Sequence, residues 1–240
     1  MIHLYAWGTP NGRKATIMLE ELGVPYEIHP VNIGKDEQFK PEFLAISPNN
    51  KIPAIVDDAA DGGPLSLFES GAILIYLADK YGRFLPPLPH ERYTVIQWLM
   101  WQMGGLGPMM GQLGWFVVSD KGQTPTGVNR YATEVERLFN VLEKRLSESQ
   151  HVGGAEYSIA DIAIYPWLQQ YRTRVPGHVE PLIQARPFIT NWMAEVGRRP
   201  AVERGMKLRA ASHGQGMTMA LRPSLSTFTR WRLKGSRSPR

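Results

Sequence analysis

The stretch RFLPPLPH at residues 83–90 constrains the fold more strongly than any other part of this sequence. Its three prolines each lack an amide hydrogen and fix the backbone angle φ, so neither a strand nor a helix crosses it easily. The residues before it alternate between strand-like and helical patterns, whereas the residues after it show helical patterns only. We therefore predict an α/β domain at residues 1–82 and an all-α domain at residues 91–208, with residues 83–90 as the linker.

The first 82 residues show the element order β-α-β-β-β-α, which predicts a compact mixed sheet of four strands. Short apolar runs alternate with turn-forming residues, and Gly23 is placed to end the first helix. The predicted strands span residues 2–6, 26–31, 54–57 and 65–67, and the predicted helices span residues 14–22 and 69–80. This order of elements is thioredoxin-like in outline.

Helical periodicity dominates the sequence beyond residue 90. A set of apolar residues recurs at alternating steps of four and three, with charged residues between them, which indicates a helix with one buried face. The set comprises Val128, Ala132, Val135, Phe139, Leu142 and Leu146. Ser158 and Asp161 have the spacing of a capping box, which predicts the start of another helix. Two final helices are predicted near residues 187–197 and 200–208, where proline falls in or near the first turn.

The glycine-rich segment GGLGPMMG at residues 104–111 resembles a phosphate-binding loop only superficially. It lacks the Lys-Ser/Thr pair that follows the glycines of such a loop, and it lies within helical sequence. We therefore expect close helix packing at these glycines and a kink at Pro108 instead of a phosphate site.

Composition excludes several kinds of chemistry. The chain has no cysteine, so it offers no disulfide, thiolate nucleophile or thiolate metal ligand. No apolar run approaches the roughly 18 residues that a membrane helix needs, and the first residues lack the pattern of a secretory signal. The histidines are scattered without the spacing of metal ligands. We therefore expect a cytoplasmic protein with no metal site and no membrane association.

The net charge of +5 depends on residues 209–240. These residues contain seven Lys and Arg and no Asp or Glu, so residues 1–208 carry a net charge of −2. The segment is rich in Ser, Thr, Gly, Pro and Arg and lacks periodicity, which is typical of a disordered tail. A phosphate-binding arm is the alternative. Because the rest of the chain is mildly acidic, we expect no nucleic-acid partner.

Five segments occur in unbroken order within residues 1–208: TPNGRK, EQFKPEFLAISPNNKIPAIVD, LSLFESGAILIYLADKYG, QWLMWQMGGLGPMMGQ and YSIADIAIYPWL. Together they resemble bacterial cytosolic glutathione transferases, and specifically the Nu class. The resemblance implies a thioredoxin-like domain joined to an all-helical domain, in agreement with the patterns above. It also implies a cytoplasmic homodimer that uses glutathione to reduce disulfide bonds and has weaker glutathione transferase activity.

Glutathione brings a thiol, two carboxylates and an ammonium, so its site needs anion donors, an acidic group and a means of favouring the thiolate. The resemblance implies that Ser70 and the first amides of its helix bind the glutamyl carboxylate, and that Glu69 binds the ammonium. The alternative is that Glu69 and Ser70 form an ordinary helix cap.

The segment Lys51-Ile52-Pro53 supplies a second part of the implied site. Similarity to thioredoxin-like proteins implies a cis Ile52–Pro53 peptide bond, with the Ile52 backbone pairing with the cysteinyl part of glutathione. Lys51, through its charge or its backbone, and Gln38 are implied to reach the glycyl end. The alternative for Lys51 is a solvated side chain.

Thr9 and Asn11 are the residues implied to act on sulfur. They lie at the strand-to-helix corner where a redox protein would place its reactive cysteine. The thiolate is the reactive species, and hydrogen-bond donors at a helix N-terminus stabilise it. The alternative is that Thr9 is only an N-cap and Asn11 only a turn residue. Because two glutathiones can share one site in this class, both reacting sulfurs belong to ligands.

Further expectations concern the surroundings of this corner. Arg130 is implied to reach a ligand carboxylate, in its own or the neighbouring subunit, or else it is a solvated helix arginine. Tyr5 is expected to pack within the sheet. The second-substrate side between the domains is expected to draw on mainly core residues, namely Trp98, Trp101, Met103, Met109, Met110, Trp115 and Phe116.

Two other functions are open from the sequence, because a fold alone does not give a function. The first is a non-catalytic module that binds glutathione or hydrophobic ligands. The second is a nucleic-acid-associated protein that uses the basic tail. The corner from Thr9 to Asn11 and the spaced ligand motifs favour the glutathione-dependent enzyme.

Overall fold

A computed structural model describes residues 1–119 and 124–207, together with the backbone of residues 218–219. The first domain contains a mixed sheet with strands β1 (Ile2–Ala6), β2 (Tyr26–Pro30), β3 (Ala54–Asp57) and β4 (Leu65–Phe68). A two-residue strand, β5 (Thr218–Met219), adds to the edge, and within the described residues the order is β4-β3-β1-β2-β5. β1 is parallel to β2, and the other neighbours are antiparallel. The predicted thioredoxin-like arrangement is confirmed.

Helix α1 (Pro10–Leu22) connects β1 to β2. The Thr9 hydroxyl oxygen accepts a hydrogen bond from the Gly12 amide at 3.2 Å, and Gly23 ends the helix with a φ of 68°. The helix begins four residues before the predicted start because Thr9 caps it and Pro10 suits a first turn.

Different helices pack on the two faces of the sheet. Helix α1 and helix α3 (Ser70–Tyr81) pack on the face to which Ile2, Leu4 and Ala6 of β1 point. The opposite face carries His3 and Tyr5 and is covered in part by helix α2 (Pro41–Leu44), whose Phe43 contacts Tyr5. Two 3₁₀ turns, Ile33–Lys35 and Glu37–Phe39, lead from β2 to α2.

The second domain is all-helical, as predicted. Its helices are α4 (Pro89–Trp101), α5 (Gly107–Val118), α6 (Pro125–Glu148), α7 (Ile159–Arg174), α8 (Pro176–Gln184), α9 (Pro187–Gly197) and α10 (Pro200–Met206). α7 begins at the predicted capping box, where Ser158 Oγ accepts from the Ala160 amide and Asp161 Oδ2 accepts from the Ser158 amide. The structure has no helix or strand between Tyr81 and Pro89, and the domain bounds themselves stay a prediction.

The glycine-rich segment forms a π-helical turn (Gln102–Leu106) followed by the start of α5. A Cβ atom on Gly107 would lie 2.6 Å from Gln102 Nε2 and 3.2 Å from a ring carbon of Trp167, so the expected close packing is present. The irregular turn precedes Pro108 instead of lying at it. Pro108 falls in the first turn of α5, directly after the π-helical turn, and its missing amide hydrogen cannot bond to a carbonyl of that turn.

Helix α1 is held by both domains, because it also packs against α7 and α10. Thr16 Oγ1 donates to the Gly205 carbonyl at 2.8 Å. The Nε atoms of Arg199 and Arg204 lie 2.6 Å from carboxylate oxygens of Glu21 and Glu20. Buried apolar side chains of the two domains form one continuous core around these contacts.

Two predictions concern location and the tail. Across residues 1–119 and 124–207, no helix is both long enough and apolar enough to span a bilayer. The predicted basic tail, residues 209–240, lies outside the described residues except for β5. The backbone of β5 pairs with Tyr26 and Glu27 of β2.

Candidate functional site

A cleft made of two adjoining cavities, of about 440 Å³ and about 150 Å³, lies at the start of α1. The larger is lined by Thr9, Pro10, Asn11, Ile33, Gln38, Asn50, Lys51, Ile52, Trp167, Gln170, Tyr171 and Arg174. The smaller shares Asn11, Lys51 and Ile52 with it and adds Pro53, Phe68, Glu69 and Ser70. The fold therefore brings every predicted site residue except Arg130 to one cleft.

Thr9 is both a helix cap and a donor that faces the cleft. Its hydroxyl oxygen accepts the Gly12 amide hydrogen, and its side chain is half-buried. The hydroxyl hydrogen is not used by that bond, since a hydroxyl accepts through lone pairs and donates through its own proton. Within the described residues the Thr9 hydroxyl donates to no protein acceptor. The capping role and the predicted sulfur-facing role are therefore compatible.

The orientation of the Asn11 amide is set by Trp167. The indole Nε1 of Trp167 lies 3.1 Å from Asn11 Oδ1. An indole N–H can only donate, so it requires the amide oxygen on its side. The Asn11 nitrogen Nδ2 then points elsewhere, and it donates to nothing in the part of the chain that the structure describes. The half-buried Asn11 thus presents two N–H donors at a residue that lines both cavities.

Helix α7 forms the second wall of the cleft, which the sequence reasoning missed. Its lining residues Trp167, Gln170, Tyr171 and Arg174 follow one another at steps of three, one and three, which places them on one helix face. That spacing was the sequence signal that these four residues share one helix face. The seven apolar residues expected on the second-substrate side line neither cavity.

Gln170 fastens α7 to the corner beside α1. Its amide oxygen accepts from Arg13 Nη1 at 2.8 Å, and its amide nitrogen lies 3.5 Å from the Gly8 carbonyl. Together with the Trp167–Asn11 bond, these contacts connect the two domains on both sides of Thr9. The distance between the α1 corner and α7 is therefore fixed by side-chain hydrogen bonds.

The segment before β3 lies along the floor of the cleft. The Ile52–Pro53 peptide bond is cis, as predicted. Lys51 is exposed and lines both cavities, and its carbonyl accepts from Ser47 Oγ at 2.8 Å. Gln38 lies on the 3₁₀ turn opposite, and its buried Oε1 has no hydrogen-bond partner in the described part of the chain. An unpaired buried amide oxygen is costly unless a ligand donates to it.

The smaller cavity ends at the start of α3. Glu69 has a φ of 71°, a backbone conformation that side chains other than glycine rarely adopt, and it makes no side-chain capping bond to α3. Its carboxylate accepts from Asn49 Nδ2 at 3.4 Å. Ser70 is the first residue of α3 and is 4% exposed. Unpaired amides and the positive end of the helix dipole make this point suited to an anion.

Lys14 lies directly beneath Ser70 and was not predicted as a site residue. Its side chain is 1% exposed, and Nζ donates to Gln102 Oε1 at 2.5 Å and to Ser70 Oγ at 3.3 Å. Burial lowers the pKa of Lys14 to about 7, although the nearby charge of Glu69 acts in the opposite direction. A lysine within the buried stripe of α1 was the sequence signal for this amine.

Two expectations concern residues away from the cleft. Arg130 lies on an exposed part of α6 and lines neither cavity, so its role as a ligand residue stays a prediction. Tyr5 packs as expected, with its ring stacked on His29 at 4.7 Å between centroids. Burial, followed by the charges of Glu27 and Asp58, raises the pKa of Tyr5.

The thioredoxin-like domain, its cis proline beside the start of α1, and the helical domain that closes the cleft define a class of two-domain thiol-binding proteins. The chain matches the family models "Glutathione S-transferase, N-terminal domain" at residues 9–80 and "Glutathione S-transferase, C-terminal domain" at residues 125–195. It belongs to the glutathione S-transferase family. Two relatives are the disulfide-bond oxidoreductases YfcG and YghU of Escherichia coli strain K12. YfcG is 51% identical over 84% of this chain and 92% of its own length, and YghU is 39% identical over 85% and 73%.

Solved structures agree with this assignment. A glutathione transferase family member from Pseudomonas fluorescens with two glutathione bound has a TM-score of 0.81 and 48% identity, covering 85% of this chain and 92% of its own. A glutathione transferase from Pseudomonas putida, with one glutathione disulfide bound per subunit, has a TM-score of 0.81 and 45% identity over 86% and 91%.

Proposed function

We propose that this protein reduces small disulfides with glutathione in the cleft at the start of α1. One observation carries the proposal: the Trp167–Asn11 hydrogen bond leaves the Asn11 amide nitrogen as an unpaired donor in the cleft. The Thr9 hydroxyl is a second donor beside it. The names of YfcG and YghU, and the glutathione or glutathione disulfide in similar structures, support the same chemistry.

The two donors favour the anionic form of a bound thiol. A free thiol has a pKa near 8.5, so at neutral pH it is mostly protonated. Lowering this pKa by one to two units requires a preference of about 1.4 to 2.7 kcal/mol for the thiolate. Two charge-assisted hydrogen bonds near a helix N-terminus supply energy of this order. Because the chain has no cysteine, the reacting sulfur comes from glutathione.

The reaction is an exchange between ligand sulfurs. The thiolate of one glutathione attacks a sulfur of the substrate disulfide, a new S–S bond forms, and the old one breaks as the departing sulfur takes the electron pair and a proton. A second glutathione thiolate then attacks the glutathione sulfur of this mixed disulfide and releases the remaining substrate thiol. Two glutathiones are oxidised to glutathione disulfide, and the substrate gains two electrons and two protons.

The remaining cleft residues bind the ends of the tripeptide. The glutamyl carboxylate binds Ser70 and the first amides of α3, and the Glu69 carboxylate binds the ammonium. The backbone of Ile52, next to the cis Pro53, pairs with the cysteinyl residue. Lys51 binds the glycyl carboxylate, and the unpaired amide oxygen of Gln38 accepts from the glycyl amide N–H.

The protein acts in this proposal as a cytoplasmic homodimer. Arg130 then reaches a glutathione carboxylate of its own or of the neighbouring subunit from the exposed part of α6. Weaker glutathione transferase activity accompanies the reductase activity, because the same stabilised thiolate attacks electrophilic carbon.

The test compares Asn11→Ala and Thr9→Ala with the wild-type protein. We expect kcat/KM for reduction of a small mixed disulfide to fall by about 10²-fold in Asn11→Ala and by less in Thr9→Ala. The matched control is Asn191→Ala, an exposed asparagine on α9. Wild-type turnover in both corner variants would contradict the proposed thiolate stabilisation.

Calorimetry with reduced and oxidised glutathione separates the enzyme from a non-catalytic module. We expect both forms to bind, and we expect Ser70→Ala to weaken binding of both by at least tenfold. Binding without turnover would favour a storage module. No binding at millimolar glutathione would mean that glutathione is not a ligand of this protein.

A further inference from the structure

A cluster of metal-ligating side chains lies outside the cleft, on the face of the sheet that α2 covers only in part. In the parallel register of β1 and β2, His3 pairs with Glu27 and Tyr5 pairs with His29. Paired residues of neighbouring strands point to the same face, which places His3, Glu27 and His29 together. None of the three lines either cavity of the cleft. The cluster is therefore a separate feature of the first domain.

The three ligand atoms have the spacing of a metal site. His3 Nδ1 lies 3.0 Å from His29 Nε2 and 3.3 Å from Glu27 Oε2, and the third side, from His29 Nε2 to Glu27 Oε2, is 3.7 Å. Ligands about 2.0 to 2.1 Å from a tetrahedral ion are separated by about 3.3 Å. The three atoms thus form one face of a coordination tetrahedron of ordinary size.

Neighbouring residues hold the ligands in this arrangement. His3 Nε2 donates to Asp58 Oδ2 at 2.9 Å, the carboxylate–histidine contact that fixes the tautomer of many metal ligands. That bond leaves Nδ1 of a neutral His3 without a proton and directed at Glu27 and His29. The ring of His29 is held by stacking on Tyr5.

The local charge also favours a cation. Glu27 and Asp58 both contact His3, so two carboxylates border the cluster. With Nδ1 of His3 unprotonated, the N–H of His29 Nε2 donates to it at 3.0 Å, and Glu27 Oε2 is a second acceptor 3.3 Å from Nδ1. A divalent ion takes the place of that proton and bonds to all three ligand atoms at once. The side chains of His3, Glu27 and His29 are 24%, 30% and 35% exposed, so an ion can reach them from solvent.

We propose that His3, Glu27 and His29 bind one divalent transition-metal ion of the Zn²⁺ type, with water in the open fourth position. Two histidines and one glutamate are a known three-ligand set for zinc. The ion joins β1 to β2 and is independent of glutathione. The sequence predicted no metal site because the ligands come from separate strands, and only the pairing of those strands brings them together.

The test is calorimetric titration of the untagged, chelator-treated full chain with ZnCl₂ in the absence of glutathione. We expect one zinc per chain, bound with a Kd in the micromolar range or below. His3→Ala, His29→Ala and Glu27→Gln should each weaken binding by at least tenfold, and Glu27→Gln keeps the shape of the side chain should an alanine variant fail to fold. Asp58→Asn should weaken it by about 10- to 100-fold.

Two controls locate the ion. His90→Ala removes an exposed histidine of α4 and should leave zinc binding unchanged. At equal concentrations, zinc should raise the thermal midpoint of the wild-type protein more than that of Glu27→Gln. The proposal is overturned by a wild-type Kd above about 1 mM, or by equal zinc affinity in wild type, His3→Ala and Glu27→Gln. It is also overturned if His213→Ala, outside the described residues, loses zinc while His3→Ala retains it.

Discussion

The starts of α1 and α7 are both polar helix N-termini, but they differ in how many of their side-chain hydrogen bonds the protein itself supplies. At α7, Asp161 is 0% exposed and accepts hydrogen bonds from the Val152 amide, the Ser158 amide, the Ser158 hydroxyl and the Trp192 indole. At α1, Thr9 caps the helix but its hydroxyl hydrogen, like the Asn11 amide nitrogen, finds no acceptor among the described residues. A polar helix N-terminus stabilises the fold at α7, where the protein supplies every hydrogen-bond partner. At α1 two donors lack a protein acceptor, and the N-terminus can bind a ligand.

The largest expected effect is on the stability of the α7 start. Asp161→Ala removes an acceptor shared by four donors and leaves them buried without partners. We expect the free energy of unfolding to fall by about 3–5 kcal/mol, measured by urea denaturation. Asp61→Ala, in an exposed turn, is the control and should change it by less than about 0.5 kcal/mol. A loss of less than about 1 kcal/mol in the free energy of unfolding of Asp161→Ala would mean that the α7 start is no more important for stability than the α1 start.

At the α1 start the expected effect is on activity instead. Asn11→Asp keeps an oxygen for the Trp167 indole but replaces the amide donors with negative charge, which repels a thiolate. We expect kcat/KM for disulfide reduction to fall by about 10²- to 10³-fold, with less than about 1 kcal/mol of change in stability. Steady-state kinetics and urea denaturation measure the two quantities, with Asn191→Asp as the control. A stability loss as large as that of Asp161→Ala would make both helix starts structural.

The buried amine beneath α3 gives a pH test. The pKa of Lys14 is lowered to about 7 when the chain is folded, whereas an unfolded lysine titrates near 10.4. Between these values the unfolded chain binds the extra proton, so the free energy of unfolding rises with pH by up to about 1.4 kcal/mol per pH unit. Lys14→Met should lose this slope between pH 7.5 and 9.5.

Urea denaturation across this pH range measures the slope. Lys144→Met, at an exposed position on α6, should retain the wild-type slope. If the free energy of unfolding depended on pH equally in wild type and Lys14→Met, the amine of Lys14 would stay charged when buried.

The smallest expected effect concerns the amide orientation. Trp167→Phe keeps an aromatic ring on α7 but removes the donor that holds Asn11 Oδ1. The amide can then rotate, and we expect kcat/KM to fall by about three- to tenfold, well below the effect of removing the amide itself. Trp115→Phe, at an exposed position on α5, should leave the kinetics unchanged. An Asn11→Ala, Trp167→Phe double variant should resemble Asn11→Ala alone, because both changes act through one group.

Much of the architecture was predictable because local patterns determine it. The runs 2–6 and 54–57 form strands at the predicted residues, and alternating burial along the first of them leaves it one register. The capping box at Ser158 marks the start of α7 for the same local reason. A kink at Pro108 was expected from the sequence, whereas a π-helical turn over Gln102–Leu106 was not, and Gly107 beside it packs against Trp167 from another helix.

The candidate site also combines residues that local motifs indicate with residues that only long-range contacts bring in. Residues in the quoted motifs, such as Asn11, Gln38 and Ser70, lie together at one cleft, and their roles there stay a prediction. The α7 wall was missed because Trp167 lies in a long apolar segment typical of a core, although it lines the cleft and donates to Asn11. Lys14 was missed because burial of an amine depends on partners 56 and 88 positions away in sequence, Ser70 and Gln102. These partners have no local signature, although the position of Lys14 in the buried stripe of α1 did signal that its amine is buried.

The closure of α10 over α1 has a consequence for synthesis of the chain on the ribosome. Gly205 lies so close to α1 that a Cβ atom there would come within 2.6 Å of the Ile17 backbone. When only the first 90 residues have emerged, the α1 surface that later contacts α7 and α10 faces water. We therefore expect the nascent first domain to reach its final stability only after residue 206 has left the exit tunnel, because its contacts with α7 and α10 cannot form earlier.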